Sequence, residues 1–338
     1  MINNLLIVPI AISFFITLFL IPNWMKRAER AKLTGKDIHK LNSEDVAEAG
    51  GVTIISGFAL GLLAYVAINT FVFKSYLNFI KIFSLLSCIL LIGFIAFTDD
   101  ILGWKIGLGK RNRILLVAFA SIPLIVINAG KSTIALPFLG ILDLGLIYPI
   151  VLIPIGIVGA TTTYNFLAGY NGLEAGLGIL LLSALAIVSY FTGSSWLSVI
   201  ALCMIASLLA FLIFNFSPAK IFPGDSLTYP VGGLIAVMAI LGNFEKIAVF
   251  FFIPVILEFF LKARGKFVKE SFGVLREDGG LNLRYEKIYS LNHLAIYLMN
   301  KKGIKPTEIR VVLSVWAFQL LIILIGFLLF RGGIFYGL

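Results

Sequence analysis

Charge is scarce in this chain. Only 13% of its 338 residues are Asp, Glu, Lys or Arg, 60% are hydrophobic, and the mean hydropathy is +1.03. Soluble domains carry about 25% charged residues, so a soluble globular domain and a disordered chain are both excluded. Cysteine is nearly absent. Cys88 and Cys203 lie in apolar stretches, which excludes a disulfide scaffold. The two histidines, His39 and His293, are far apart and too few for a zinc site. Alternating polar and apolar strands are also missing, which excludes a porin-like barrel. What is there is a series of long, continuous apolar runs, the mark of an all-α polytopic membrane protein.

The runs predict about ten transmembrane helices, at residues 4–24, 51–73, 79–97, 114–128, 144–161, 175–191, 196–216, 226–241, 247–261 and 311–330. Backbone facing lipid must satisfy its own hydrogen bonds, so each is read as helix. The first run has no basic residue before it and is too long for a cleavable signal. Lys26, Arg27, Arg30, Lys32, Lys36 and Lys40 follow it. That bias sets the N-terminus outside and the first loop in the cytoplasm. With ten helices, the cytoplasmic loops hold 22 of the 27 Lys and Arg residues and the opposite side holds 5. The net charge of +10 is then a matter of topology. Basic residues spread over several membrane loops do not suit nucleic acid.

The chain reads as a single membrane domain, 1–338, with a cytoplasmic loop subdomain at 262–308 between helices nine and ten. Inside that loop, 272–277 and 281–288 flank Asp278-Gly279-Gly280, a hairpin turn. Residues 292–300 read as a short amphipathic helix stopped near Gly303.

The cytoplasmic loops carry the candidate chemistry. Asp99 and Asp100 end the third helix, where two carboxylates oppose the helix dipole and repel each other. A metal ion, or Lys105 and Lys110 nearby, would offset this. After the fifth helix come Asn165, Asn171 and Glu174, oxygen donors in a glycine-rich run. Asn171-Gly172 also reads as a turn, and Glu174 as a favourable first-turn residue of helix six. Asp225, in Phe222-Pro223-Gly224-Asp225, is placed to cap the eighth helix. Asp37, His39 and Glu48 in the first loop, and Arg264, Arg276 and Arg284 in the long loop, read alone as solvated groups. His293 reads as structural. By parity all of these share one membrane face. Carboxylates with amide oxygens suit a hard cation such as Mg²⁺. Such a cation with Lys and Arg suits a diphosphate. The set therefore points to phosphoryl transfer from a nucleotide to a membrane-embedded acceptor.

Three runs resemble one family in order and in loop position: Phe97-Thr98-Asp99-Asp100, the stretch from Asn165 to Gly176, and Phe222 to Asp225. It is the polyprenyl-phosphate N-acetylhexosamine-1-phosphate transferases, and the likeness covers nearly the whole chain. The run from Asn165 to Gly176 is most similar to the eukaryotic and archaeal dolichyl-phosphate enzymes. The resemblance implies transfer of GlcNAc-1-phosphate from UDP-GlcNAc to dolichyl phosphate. It implies Mg²⁺, with Mn²⁺ as a substitute, on Asn165 and Asp225, and catalytic roles for Asp99 and Asp100. It implies substrate contacts for Lys110, Asn171, Glu174, Glu48 and Arg276. It also implies a bent ninth helix, to which Pro254 would contribute, and a cytoplasm-facing site in the plasma membrane of an archaeal cell. It leaves room for a homodimer.

Two departures stand out. Lys110 lies one residue further from Asp100 than in the eukaryotic enzymes, so Lys105 could share its role. The His/Arg cluster usual between helices nine and ten is replaced by Lys269 to Arg276, with Arg276 as the substitute. Rival readings are another UDP-sugar or undecaprenyl phosphate, a transporter, and a non-catalytic scaffold. A transporter would carry ionised residues at mid-membrane, where this chain has few. Glu258 is the main exception.

Overall fold

The structure is a computed structural model, and it describes residues 4–40, 45–136 and 140–335. It is 71% helix. Among the described residues, eight helices are long and apolar enough to cross a membrane. They are α1 (Ile7–Arg30, with a short lead-in from Asn4), α2 (Gly51–Phe71), α3 (Phe79–Ile106), α6 (Ile153–Phe166, with a π-turn before it from Tyr148), α7 (Leu173–Phe191), α8 (Ser195–Asn215), α9 (Asp225–Gly242) and α13 (Glu308–Leu329).

The fourth and ninth predicted helices are each broken. The fourth is split into α4 (Lys110–Ala120) and α5 (Ile122–Val126), the ninth into α10 (Glu245–Phe251) and α11 (Ile253–Arg264). Each break lies just before a proline, Pro123 or Pro254, at the second position of the new helix. Proline lacks the N–H and crowds the preceding turn, so a continuous helix cannot pass. The predicted bend at Pro254 is where the chain breaks.

Other ends shift for local reasons. Helix α1 runs on to take in Lys26, Arg27 and Arg30, and cations near a helix C-terminus are favoured. Helix α3 continues past Asp99-Asp100 to a break at Gly103. Both aspartates therefore sit on helical backbone rather than beyond its end.

Helix α9 lies at the centre, packed on α3, α6, α2 and α7, and its apolar window is 83% buried against 22% for α1. Many large apolar side chains face outward, Phe19, Phe71, Phe94 and Leu328 among them. A soluble monomer rarely exposes so much. The long loop forms the expected hairpin, β5 (Val274–Leu275) against β6 (Leu281–Asn282), and then α12 (Leu291–Lys301). Two further antiparallel pairs, β1 (Thr34–Lys36) with β2 (Asp45–Ala47) and β3 (Thr133–Leu136) with β4 (Gly140–Asp143), close loops between helices.

Candidate active site

Four helix ends meet beside one cleft of about 390 Å³. Helix α9 can begin there because Gly224 takes a positive φ of 68°, and any side chain at that position would run into the Asp100 carboxylate. Gly51, opening α2, likewise lets its backbone lie against the Ser226–Leu227 backbone. Asp100 accepts the N–H groups of Asp225 at 2.8 Å and Ser226 at 3.0 Å. The sequence placed Asp225 at the N-cap. Gly224 holds that position, Asp225 is the first helical residue, and Asp100 reaches across from α3 to supply the capping oxygens.

The Asp225 carboxylate is thereby free for other contacts. Its Oδ2 lies 2.7 Å from Arg113 Nη1, and its Oδ1 accepts from Asn165 Nδ2 at 3.0 Å. The same Arg113 nitrogen lies 2.9 Å from Asp99 Oδ2. Thr228 Oγ1 donates to Asn165 Oδ1 at 3.0 Å and so fixes which way the amide points. Two carboxylates thus share one guanidinium nitrogen, with the Asp100 carboxylate close by on the start of α9, an arrangement short of positive charge.

The far end of the cleft is a hydrogen-bonded cradle. Asn171 Nδ2 donates to Asp37 Oδ2 at 2.9 Å, and Lys40 Nζ sits 3.1 Å from the same oxygen. The Asn171 N–H goes to Glu308 Oε1 at 2.9 Å, and Ser217 Oγ donates to the other Glu308 oxygen. The Gly172 N–H goes to Asn215 Oδ1 at 3.1 Å. Glu174, buried in the first turn of α7, accepts the Gly169 N–H at 2.9 Å. It favours the helix start and pins the loop at once. Burial works to raise the Asp37 carboxyl, but hydrogen bonds from Asn171, Lys40 and the His39 N–H, with the Lys40 charge, hold it below its ordinary value. Burial pushes His39 down to about 4 against the pull of Asp37, and its Nε2 has no partner among the described residues. Burial also raises Glu48.

Of the residues expected from sequence, Asp99, Asp100, Asn165 and Asp225 come together at the charged end. Glu48, Asn171 and Glu174 line the cleft. Lys110 opens α4, exposed and three residues before Arg113, with no side-chain partner among the described residues. The Lys105 side chain lies outside what the structure describes. Arg276 sits on the hairpin, 3.1 Å from Asp278, and does not line the cleft. Sequence reasoning counted Arg113 only as a loop cation and passed over Thr228, Asn215 and Glu308. For Arg113 the available signal was its three-residue spacing from Lys110, which puts both on one helical face. Among the described residues no group of three or more His, Cys, Asp or Glu side chains forms a ready metal cluster.

The profile of glycosyl transferase family 4 matches residues 82–243. A relative from Saccharolobus solfataricus is 36% identical over 96% of each chain. It carries the provisional name UDP-N-acetylglucosamine–dolichyl-phosphate N-acetylglucosaminephosphotransferase. A Dictyostelium discoideum protein of that name, without the qualifier, is 29% identical over 77% of this chain and 71% of its own. A phospho-N-acetylmuramoyl-pentapeptide-transferase from Halalkalibacterium halodurans is 26% identical over 95% of this chain and 96% of its own. The resemblance read from the motifs is borne out, by a relative 36% identical over 96% of the chain and by the family profile: the chain belongs to glycosyl transferase family 4.

Proposed function

We propose that the chain transfers GlcNAc-1-phosphate from UDP-GlcNAc to dolichyl phosphate. The products are dolichyl-diphosphate-GlcNAc and UMP, the first step of lipid-linked oligosaccharide synthesis for N-glycosylation. The observation that carries this reading is the 36% identity across 96% of both chains with a relative provisionally named for that reaction. The site supports it, with a charged end suited to a diphosphate and a hydrogen-bonded end suited to a nucleoside. The topology proposed with it counts the two broken helices as spans. That gives ten, with the N-terminus outside and the cleft facing the cytoplasm of an archaeal cell.

In the reaction, an oxygen of the acceptor phosphate attacks the β-phosphorus of the donor. The bond from that phosphorus to the bridging oxygen breaks, and UMP leaves with the electron pair. Such transfers depend on positioning and charge neutralisation more than on covalent help from the protein. Arg113 supplies fixed positive charge, aimed by its two carboxylate partners. Asp100 fixes the start of α9 and, through it, Asp225. Asn171 and the backbone around Gly169 form the neutral wall for the nucleoside. Dolichyl phosphate is ionised near neutral pH, so Asp99 need not take a proton.

The donor set fits magnesium. The carboxylate oxygens of Asp225 and Asp99 are hard donors, and Mg²⁺ is typically held by one or two carboxylates with substrate phosphates completing the shell. Asp225 would hold the ion with Asp99 beside it, and Asn165 would join them once its amide turned to present Oδ1 in place of the Nδ2 that faces Asp225. Bound there, it would neutralise charge on the diphosphate.

The test is UMP release by purified protein in detergent with dolichyl phosphate and Mg²⁺. Donors to compare are UDP-GlcNAc, UDP-GalNAc and UDP-MurNAc-pentapeptide. Release with UDP-GlcNAc alone is expected. Release only with another donor overturns the sugar, and release with none, from folded protein, overturns the reaction.

A further inference from the structure

The loop between α11 and α12 is tied down by two buried side chains that the proposed chemistry does not use. Glu258 on α11 is 0% exposed, and its Oε2 accepts the N–H of Leu291, the first residue of α12, at 2.7 Å. Ser290 Oγ accepts the Asn292 N–H at 3.2 Å. A carboxylate facing a helix N-terminus offsets the partial positive charge there, so α12 is docked on α11 by its own end. The other Glu258 oxygen and the Asn292 amide are buried without partners among the described residues. Such a junction costs more than an apolar one of the same shape, which argues for placement over packing.

His293, on the first turn of α12, is 1% exposed. Its Nδ1 accepts from the Tyr289 N–H at 3.3 Å, which leaves the ring proton on Nε2, 3.2 Å from the Phe272 carbonyl oxygen. Phe272 carries the connection to the cleft. Its ring lines the cavity and packs against His39, with centroids 5.3 Å apart, and Tyr170, at 6.3 Å. The next N–H, of Gly273, donates to the Tyr170 hydroxyl at 2.8 Å. Lys262, one turn beyond Glu258 on α11, holds the same loop from the other side by donating to the Lys269 carbonyl at 3.0 Å.

We propose that Glu258 and His293 are positioning residues that set the Phe272 wall of the cleft, and through it the affinity for the nucleotide-sugar donor. The path runs from the α11 carboxylate to the end of α12, to His293, to the Phe272 backbone and to its ring. Neither residue lines the cleft itself. The kinetic part of this inference rests on the proposed reaction. The docking part does not.

Hydrogen exchange of the full chain in detergent, with no substrate, reads the docking directly. Glu258→Ala and His293→Ala are expected to quicken exchange about tenfold across 269–275, the scale of one lost hydrogen bond. Amides of the apolar helices should stay protected, showing that the variants are folded. His293→Gln, which keeps a donor for the Phe272 carbonyl, should restore most of the protection. In turnover with UDP-GlcNAc, His293→Ala is expected to raise the donor KM about tenfold and leave kcat near the parent value. That rise should vanish in a Phe272→Ala background. Unchanged exchange overturns the proposal. So does a KM effect that adds to that of Phe272→Ala, or a loss confined to kcat. If the parent chain turns over no nucleotide sugar, the proposed reaction fails, and the exchange result still decides this inference.

Discussion

Beside one end of the cleft, Asp99 and Asp225 share a single guanidinium, Arg113, and Asp100 lies next to them on the start of α9. At the other, Asp37, Glu174 and Glu308 each accept hydrogen bonds from backbone or side-chain donors already in place. The first end is short of positive charge and draws it from what binds. The second is satisfied by the protein alone and so holds a fixed shape. On this comparison, and on the proposed reaction, the charged end is expected to govern the rate of the chemical step and the cradle to govern affinity.

The sharpest way to break that division is at Asp225. Asp225→Ala should lower UMP release by about a thousandfold or more, the scale of losing a group that stabilises charge in the transition state, with a far smaller change in donor affinity. EDTA should abolish turnover of the parent chain, and Mg²⁺ or Mn²⁺ should restore it. Arg113→Lys comes next. It keeps the charge but not the planar guanidinium whose Nη1 meets two carboxylates, and should cost about 10–100-fold in kcat. Asn171→Ala tests the cradle, and should raise the donor KM about tenfold with little change in kcat. A large kcat loss at Asn171, or a pure KM effect at Arg113, would collapse the distinction.

The smallest effect concerns pH. His39 is held at about 4 in the fold against an ordinary 6.5. Below pH 6.5 the unfolded chain takes the proton first, so the fold loses stability progressively from about 6.5 down to about 4 and no further from this group. Thermal unfolding in detergent should show a falling midpoint over that range, and His39→Gln should flatten part of the fall.

Much of the charged end was legible in the sequence. Asp99, Asp100, Asn165 and Asp225 stand on loops that charge parity assigns to one face, and oxygen donors on one face imply a hard cation. Arg113 offered only its spacing from Lys110, because a cation in a positive loop looks like topology until a carboxylate is seen beside it. The capping of α9 by Asp100 joins residues 125 apart in sequence, and no local propensity reports such a bond. Glu308 and Asn215 were hidden as ordinary helix ends. The two helix breaks were hidden for a definable reason: hydropathy averages over Pro123 and Pro254, while the backbone breaks ahead of both.

Helix α9 also acts as a depth gauge. Its 18 residues at about 1.5 Å each give about 27 Å, close to the roughly 30 Å of a bilayer's hydrocarbon layer. Asp225 is its first residue, so on the proposed topology the reacting plane coincides with the boundary where a lipid's phosphate already rests. The acceptor need not be lifted out of the membrane, nor the water-soluble donor drawn in. An isoprenoid tail runs away from that plane into the bilayer, and the chemistry at its head should be indifferent to how many units follow.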